Sequence, residues 1–171
     1  MLPGWNQSVL HRLIKQVPVE GGTPEAVPGS TLQGTSFDFQ RLGISPDGRT
    51  LAVVVTQLQR EHHTEAQHKI ALIPLNSGAN PTVRLVDSDP RISDHAIFAQ
   101  DGNSLIYAIT ENGVGNLWAQ PIMGGLGHQI TNFSSELIGY YQLSRDGKNI
   151  LVHRRHIDSD IVLLRDTAAQ Q

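Results

Sequence analysis

The sequence predicts an all-β fold of about three β-propeller blades, because two kinds of turn recur along it in step. The first is an Asp-Gly pair, whose glycines Gly48, Gly102 and Gly147 are spaced 54 and 45 residues apart. The second is a pair of small residues, and its last members are spaced 56 and 47 residues apart. The copies of this second pair are Gly21-Gly22, Ser77-Gly78 and Gly124-Gly125. A repeat of roughly 40–50 residues is typical of propeller blades.

Each Asp-Gly pair lies between two runs of strand-forming residues, so we interpret it as a hairpin turn. The runs before it are Phe37–Ile44, His95–Phe98 and Ile138–Leu143, and those after it are Leu51–Val55, Leu105–Ile109 and Ile150–Val152. In the first copy Pro46 presets φ, Asp47 bonds the backbone that follows, and Gly48 takes the positive φ. The turn therefore accounts for Asp47, and for Asp101 and Asp146, without a catalytic or metal-binding role.

Further strands are predicted after each hairpin. Third strands are predicted at Lys69–Leu75, Asn116–Ile122 and Asp160–Leu164, and fourth strands at Thr82–Val86 and His128–Thr131. The run Leu51–Val55 is apolar without polar alternation, so both faces of its sheet should be covered. Four-stranded antiparallel units that are covered on both faces are what stacked propeller blades require. Trp118 lies in the middle of a third strand, where we expect it to pack between blades.

The repeats divide the chain into a partial unit at residues 10–30, units at 37–88, 94–133 and 136–166, and a tail at 167–171. The last unit lacks an outer strand, and three blades fall short of the roughly four to eight that close a ring. We therefore expect a partial propeller, the C-terminal segment of a larger one whose other blades precede Met1. The alternative is self-association through the open edges of the blades.

Two stretches carry a family resemblance. Ile44–Ala52 matches a Ser-Pro-Asp-Gly hairpin, and Asn116–Phe133 matches a pair of strands with a Trp in the first and a Gln-Ile-Thr ending in the second. In these motifs the chain resembles the TolB-type, WD-repeat-like β-propeller family, from about residue 10 to residue 166. It also resembles the C-terminal propellers of large bacterial proteins that carry a serine/threonine kinase or DNA-binding domain. That resemblance implies a sensor or protein-binding domain in a bacterial parent protein.

Composition narrows the classes of function. The chain has 171 residues, no cysteine and a net charge of −3, so thiol chemistry is excluded and no basic footprint for nucleic acid is present. The N-terminus lacks the apolar stretch of a signal peptide, and no window is apolar enough to span a membrane. The chain is thus predicted to be soluble, with its compartment unassigned. An extracytoplasmic parent protein would need an export signal upstream.

One segment holds metal-ligating side chains. Residues 57–68 form an insertion between two predicted strands, and it contains His62, His63 and His68 with two carboxylates. Imidazole and carboxylate groups suit Zn²⁺ or Ni²⁺, and His63 and His68 are close enough in a loop to converge. A polar hairpin loop ordinarily stays solvated, so no metal or cofactor is predicted. Metal binding by these histidines is the alternative.

Binding residues are expected on the strands that precede the Asp-Gly turns, which would line the central channel or its mouth. On or beside these strands lie Arg41, Gln100, Tyr140 and Tyr141. No Gly-x-Ser-x-Gly elbow is present, and the glycine-rich and catalytic loops of a kinase are missing. We therefore predict a non-catalytic binding or sensory domain that recognises a protein or small ligand. The alternatives are the gating propeller of a prolyl-oligopeptidase-like hydrolase and a self-assembling partial propeller.

Overall fold

The structure is a computed structural model, and it describes residues 13–31, 35–37, 41–57, 67–75, 78 and 80–156. Within these ranges the chain forms thirteen β-strands and no helix, which confirms the all-β prediction. The strands are β1 (Lys15–Gln16), β2 (Glu25–Ala26), β3 (Thr35–Phe37), β4 (Gly43–Ile44), β5 (Thr50–Gln57), β6 (Gln67–Pro74), β7 (Arg84–Asp87), β8 (Ile92–Phe98), β9 (Ser104–Glu111), β10 (Val114–Pro121), β11 (His128–Gln129), β12 (Leu137–Leu143) and β13 (Ile150–Arg155). No helix in this part of the chain is long and apolar enough to cross a membrane.

The strands form four antiparallel sheets in chain order. The ribbon consists of β1 and β2, and sheet 1 has the order β3-β5-β6-β7 with β4 also paired to β5. Sheet 2 has the order β8-β9-β10-β11, and sheet 3 pairs β12 with β13. The third strand predicted for the last unit, Asp160–Leu164, lies outside the described residues. The other predicted strands are present, with ends that differ by a few residues.

One predicted strand is described only in part. Phe37–Ile44 was expected to be a single strand; β3 and β4 at its two ends pair with β5, and residues 38–40 between them lie outside the described residues. Phe37 lies opposite Val55 and Gly43 lies opposite Ala52, so five residues separate the ends on one side and two on the other. A regular ladder pairs residues one to one, so the two ends are not parts of one regularly paired strand.

Strand β5 shows why an apolar run without alternation belongs in this fold. Leu51, Val53 and Val55 face the ribbon, where they form a buried cluster with Ile14 and Val27. Ala52 and Val54 point the other way and are buried against sheet 2. Successive side chains of a strand face opposite sides, so a sheet with a neighbour on each side needs apolar residues at every position.

Sheet 2 repeats this arrangement one unit later. Leu105, Tyr107 and Ile109 of β9 pack on sheet 1, whereas Ile106 and Ala108 pack on sheet 3. Burial of each large side chain in such a cluster contributes roughly 1.5–3 kcal/mol. The sheets are therefore stacked in chain order and held together by the two faces of each second strand.

One buried polar network crosses the contact between sheets 1 and 2. The Tyr107 hydroxyl donates to Gln120 Oε1 at 2.8 Å, and Gln120 Nε2 donates to the carbonyl of Asp87 at 2.6 Å. Both side chains are almost fully buried, so these bonds remove the cost of desolvating their polar atoms. Burial also raises the pKa of Tyr107, which keeps its hydroxyl protonated as the donor.

The second family motif also has a structural role. Asn116 Oδ1 accepts hydrogen bonds from the backbone N–H of Phe133 at 2.7 Å and from the Thr131 hydroxyl at 3.0 Å. The Thr131 hydroxyl in turn accepts from the backbone N–H of Leu117 at 2.8 Å. These bonds fasten the segment after β11 to β10 and close the outer edge of sheet 2.

The Asp-Gly pairs are hairpin turns, as predicted. The backbone N–H of Gly48, Gly102 and Gly147 donates to the carbonyl three residues earlier at 2.8–2.9 Å, and each glycine has φ near +70°. The aspartate carboxylate accepts the backbone N–H two residues later in all three copies. In two copies the serine that opens the turn, Ser45 or Ser144, also donates its hydroxyl to the carboxylate.

We expect these turns to make stability depend on acid pH. The serine hydroxyl first, and the backbone N–H next, lower the pKa of Asp47 and of Asp146 below the ordinary value of 3.8. A carboxyl whose pKa is lower when folded contributes stability above its unfolded pKa and loses it as pH falls through the folded value. The melting temperature of the double variant Asp47→Asn/Asp146→Asn should therefore fall less than that of the unaltered chain when the pH is lowered from about 6 to about 2.

Ser45→Ala/Ser144→Ala provides the control, because it removes the two hydroxyl donors and keeps both carboxyl groups. Its acid limb should lie between those of the double aspartate variant and the unaltered chain. Identical acid limbs for the double aspartate variant and the unaltered chain would contradict the prediction.

Candidate functional site

The strands that precede the Asp-Gly turns form the converging edge of the sheets. We call β4, β8 and β12 the inner strands, because each contacts the next across a sheet boundary. At Gly43 of β4 the backbone of Ala96 in β8 approaches so closely that an added Cβ would collide with its carbonyl oxygen. The Tyr141 hydroxyl of β12 donates to the carbonyl of His95 in β8 at 2.5 Å. The outer strands β7 and β11 lie at the opposite edges of their sheets.

Two inner strands carry an irregularity. In β8 the register shifts between Ile92 and Ala96, which pair with Ile109 and Tyr107, so three residues face Ala108 alone. In β12 the register shifts between Ile138 and Tyr140, which leaves Gly139 without a partner in the ladder. Bulges of this kind bend a strand and redirect its side chains, and they are over-represented beside functional sites.

The two bulges lie at one height in sheets 2 and 3. The partner strand is at Ala108 in sheet 2 and at His153 in sheet 3 where the inner strand departs from regular pairing. Each of these residues comes six positions after the glycine of its Asp-Gly turn. Because of this shared height, the bulge of β8 at Ser93 and His95 and the bulge of β12 at Gly139 line the same space.

A cavity of about 230 Å³ opens where they meet. It lies just below the roughly 300–1,000 Å³ of pockets for drug-sized ligands, so it suits a small group. Its lining comes from the inner strands and the strands beside them: Arg41, Ser93, His95, Ala108, Thr110, Leu137, Ile138, Gly139, Tyr141 and Arg155. We call this the inner-strand cavity.

Arg41 crosses from sheet 1 to sheet 3 over the second inner strand. Its Nη1 donates to the carbonyl of Gly139 at 3.0 Å, and its guanidinium carbon lies 4.6 Å from the centre of the Tyr140 ring. The bulge exposes this carbonyl, since Gly139 has no partner in the ladder. A side chain at residue 139 would also press on His153, whose Nδ1 would lie 2.9 Å from the added Cβ. Glycine therefore suits residue 139, because the bulged backbone lies against His153 and leaves no space for a side chain.

The two tyrosines of β12 have different environments. Tyr141 is buried, and its ring is tilted against that of His95 with 4.9 Å between centroids. Tyr140 is 40% exposed and lies beneath Arg41, with its hydroxyl bonded to Gln142 Oε1 at 2.8 Å. Tyr141 is thus part of the cavity wall, and Tyr140 presents an ordered aromatic surface beside its opening.

The described lining of the cavity carries positive charge, although the chain is acidic overall with a net charge of −3. Arg41 and Arg155 line it, and its described lining contains no aspartate or glutamate. Three other cations of the described chain have carboxylate partners: Lys69 with Asp87 at 2.9 Å, Arg91 with Asp89 at 2.8 Å and Arg154 with Glu136 at 3.8 Å. The ion pairs among the described residues leave both cavity guanidiniums without a carboxylate.

The structure brings together three of the four residues predicted for binding, Arg41, Tyr140 and Tyr141. The fourth, Gln100, is exposed in the second Asp-Gly turn, and its side chain packs against Gly147 of the third turn. The turns lie at the opposite end of the inner strands from Thr110 and Leu137, so Gln100 is not part of the cavity lining.

Of the three histidines predicted as metal candidates, the structure describes only His68. His68 was expected in the inserted loop, but it lies in β6 opposite Thr56, whose hydroxyl is 3.2 Å from its Nδ1. The correction follows from the ladder, which extends β5 and β6 into the insertion as far as Gln57 and Gln67. His62 and His63 lie outside the described residues. The part of the chain that the structure describes holds no group of three metal-ligating side chains.

Sequence reasoning missed four polar cavity residues: Ser93, His95, Thr110 and Arg155. They come from β8, β9 and β13 and meet only through the stacking of sheets 2 and 3. The strands that carry Thr110 and Arg155 were predicted to end at Ile109 and Val152, a few residues before their observed ends. Including the polar residues that follow each apolar run would have placed Thr110 and Arg155 in strands.

Comparison with known proteins bears on the fold. Among the solved structures that match the chain is the crystal structure of TolB from Acinetobacter baumannii, with a TM-score of 0.61 and 21% sequence identity over 86% of the chain. The match covers 33% of that protein, so the chain spans about a third of its length. No protein-family profile and no curated protein sequence matches the chain. At this identity the likeness shows the fold alone: the stacked sheets are blades of a TolB-like β-propeller.

Proposed function

We propose that the chain is a non-catalytic binding domain that takes a protein partner at the rim of the inner-strand cavity. The observation that carries this proposal is the common height of the bulges in the inner strands β8 and β12. Their irregularities join Arg41, Tyr141 and Arg155 into one opening beside the exposed Tyr140. In a propeller that belongs to a larger bacterial protein, such an opening would serve as a sensory or interaction surface.

The side chains at the rim favour a protein partner. Tyrosine and arginine are enriched at the energetic centres of protein interfaces, where a rigid aromatic surface contributes area at low entropic cost. Tyr140 is already held, since Arg41 covers one face and Gln142 accepts its hydroxyl. A partner would therefore meet a surface whose side chains need little further ordering. The fold by itself assigns no partner, because propellers carry many functions.

Site-specific photo-crosslinking tests the proposal. We expect Tyr140→benzoylphenylalanine to form a covalent adduct with a partner in a lysate of the organism that encodes the chain, because position 140 lies on the rim. The matched control is Arg145→benzoylphenylalanine, an exposed position in the turn that follows the same strand. Adduct formation at position 140 should also disappear when Arg41→Glu is added, since that change reverses the charge beside it.

Equal adducts from positions 140 and 145, or none from either, would contradict the proposal. Circular dichroism of each variant establishes that the chain remains folded. Mass spectrometry of the excised band then identifies what is attached.

A second candidate is self-association, and the outer face of sheet 3 favours it. Ala52 and Ile106 each lie four residues after the turn glycine and are buried against the following sheet. Leu151 occupies the same position in sheet 3 and is 67% exposed. A second copy of the chain would cover this face as a following sheet does elsewhere. In the crosslinking experiment this candidate would give a product of twice the chain mass.

A further inference from the structure

We infer that the inner-strand cavity binds a carboxylate, supplied by an aspartate or glutamate side chain of the partner. The inference rests on the proposed function, since it names the group that enters the cavity. Its basis is that the side chains of Arg41 and Arg155 both lie beside Gly139 and line the cavity. Arg41 Nη1 lies 3.0 Å from the carbonyl of Gly139, and the Arg155 Cδ lies 3.5 Å from where a Cβ of residue 139 would be.

The guanidiniums have unused donors. An arginine side chain carries five N–H donors, and the only bond that Arg41 makes to a described residue uses Nη1. The neighbouring Arg154 differs, because it lies 3.8 Å from a Glu136 carboxylate oxygen and stacks 3.9 Å from the centre of the Phe133 ring. Two arginines that line one cavity and have no carboxylate partner among the described residues attract an anion, and the planar fork of each can hold both oxygens of a carboxylate.

The remaining lining selects among anions. Ala108, Leu137 and Ile138 provide apolar surface, while Ser93 and Thr110 add hydroxyl groups that can donate to an oxygen. An aspartate or glutamate side chain combines a charged end with a short aliphatic stem, so it matches both parts of the lining. At about 230 Å³ the cavity accepts one side chain of this size and excludes a folded element.

Nuclear magnetic resonance titration of the ¹⁵N-labelled full chain tests the inference. The probes are glutarate, inorganic phosphate, and two blocked tripeptides, acetyl-Gly-Glu-Gly-amide and acetyl-Gly-Gln-Gly-amide. We expect glutarate and the glutamate peptide to shift the Gly139 amide and the Arg41 side-chain N–H saturably, with an effect that weakens as salt rises. The glutamine peptide should produce no shift, because it has the same shape without the charge.

Variants test whether binding of the glutamate peptide depends on the two arginines of the cavity. Arg41→Gln and Arg155→Gln should each weaken binding of the glutamate peptide by about tenfold or more, since each removes charged hydrogen bonds. Arg145→Gln, which removes an exposed charge at the far turn, should leave binding unchanged. Arg41→Lys keeps the charge but loses the fork, so an intermediate loss is expected. The amide spectrum of each variant shows whether the fold is retained.

Four outcomes would overturn the inference. They are saturation by phosphate alone, saturation by glutarate without the glutamate peptide, equal binding of the glutamate and glutamine peptides, and no saturable shift. The second outcome assigns the cavity to a free organic acid. None of them removes an adduct formed from position 140, so failure here remains distinguishable from failure of the proposed function.

Discussion

Replacing Leu105 with alanine is expected to lower the free energy of unfolding by roughly 2–5 kcal/mol, because it removes a large side chain from a close-packed interior. Leu105 is 0% exposed and belongs to the cluster between sheets 1 and 2, with Val54, Leu72 and Phe98 around it. These neighbours come from three strands in two sheets, so they cannot move together to fill the space. The cost should therefore include a cavity contribution as well as the lost transfer free energy.

Urea unfolding measures this change, with the slope against denaturant showing whether the unfolded state is altered. The matched control is Leu126→Ala, since Leu126 is 96% exposed in the loop before β11. That substitution should change the free energy of unfolding by no more than about 0.5 kcal/mol. Similar losses at the two positions would mean that the cluster between the sheets does not stabilise the fold.

Gly43→Ala is expected to destabilise the chain by roughly 1–3 kcal/mol or more, because it inserts a methyl group where two inner strands touch. The added Cβ would collide with the carbonyl oxygen of Ala96 and lie 3.2 Å from the Cα of Ile97. Both obstacles are backbone atoms of β8, which no rotamer change can move. We expect sheets 1 and 2 to separate slightly, so amide signals from both strands should shift.

Gly124→Ala serves as the comparison for this prediction. Nothing lies within 4 Å of a Cβ at residue 124, but its φ is +101°, so this variant reports backbone strain without a collision. Gly43 has no positive φ, and its substitution reports the collision without that strain. Thermal or urea unfolding of both variants separates the two costs. A Gly43→Ala chain as stable as the unaltered one would show that the sheets do not meet as closely as described.

The elements that sequence analysis predicted correctly depend on short-range chemistry. An Asp-Gly pair between apolar runs forms a hairpin turn because of bonds within a few residues, as Gly48 and Asp47 show. The apolar run of β5 predicted that both faces are covered, and Val53 and Val54 are indeed buried on opposite sides. The type of an element and its burial can both be read from such local patterns.

The turn between β9 and β10 was overlooked although its signal is strong. Asn112 and Gly113 have φ values of 51° and 78°, the conformation that a two-residue hairpin requires and that Asn-Gly supplies. The candidate site was harder to predict for a different reason. The bulges at Gly139 and at Ser93–His95 form where three sheets converge, and no local pattern specifies them. Arg41 could be placed near the channel, but its contact with Gly139 spans 98 residues.

The Arg41–Gly139 hydrogen bond joins sheet 1 directly to sheet 3 and passes over the sheet between them. In most repeat architectures each unit interacts only with its immediate neighbours, so unfolding can begin at one end and proceed unit by unit. The Arg41–Gly139 hydrogen bond is a contact between second neighbours, so it couples the stability of sheet 1 to that of sheet 3 although their buried clusters do not touch. Loss of sheet 3 would then loosen sheet 1 even while sheet 2 remains folded. The three sheets should consequently melt as a single cooperative unit.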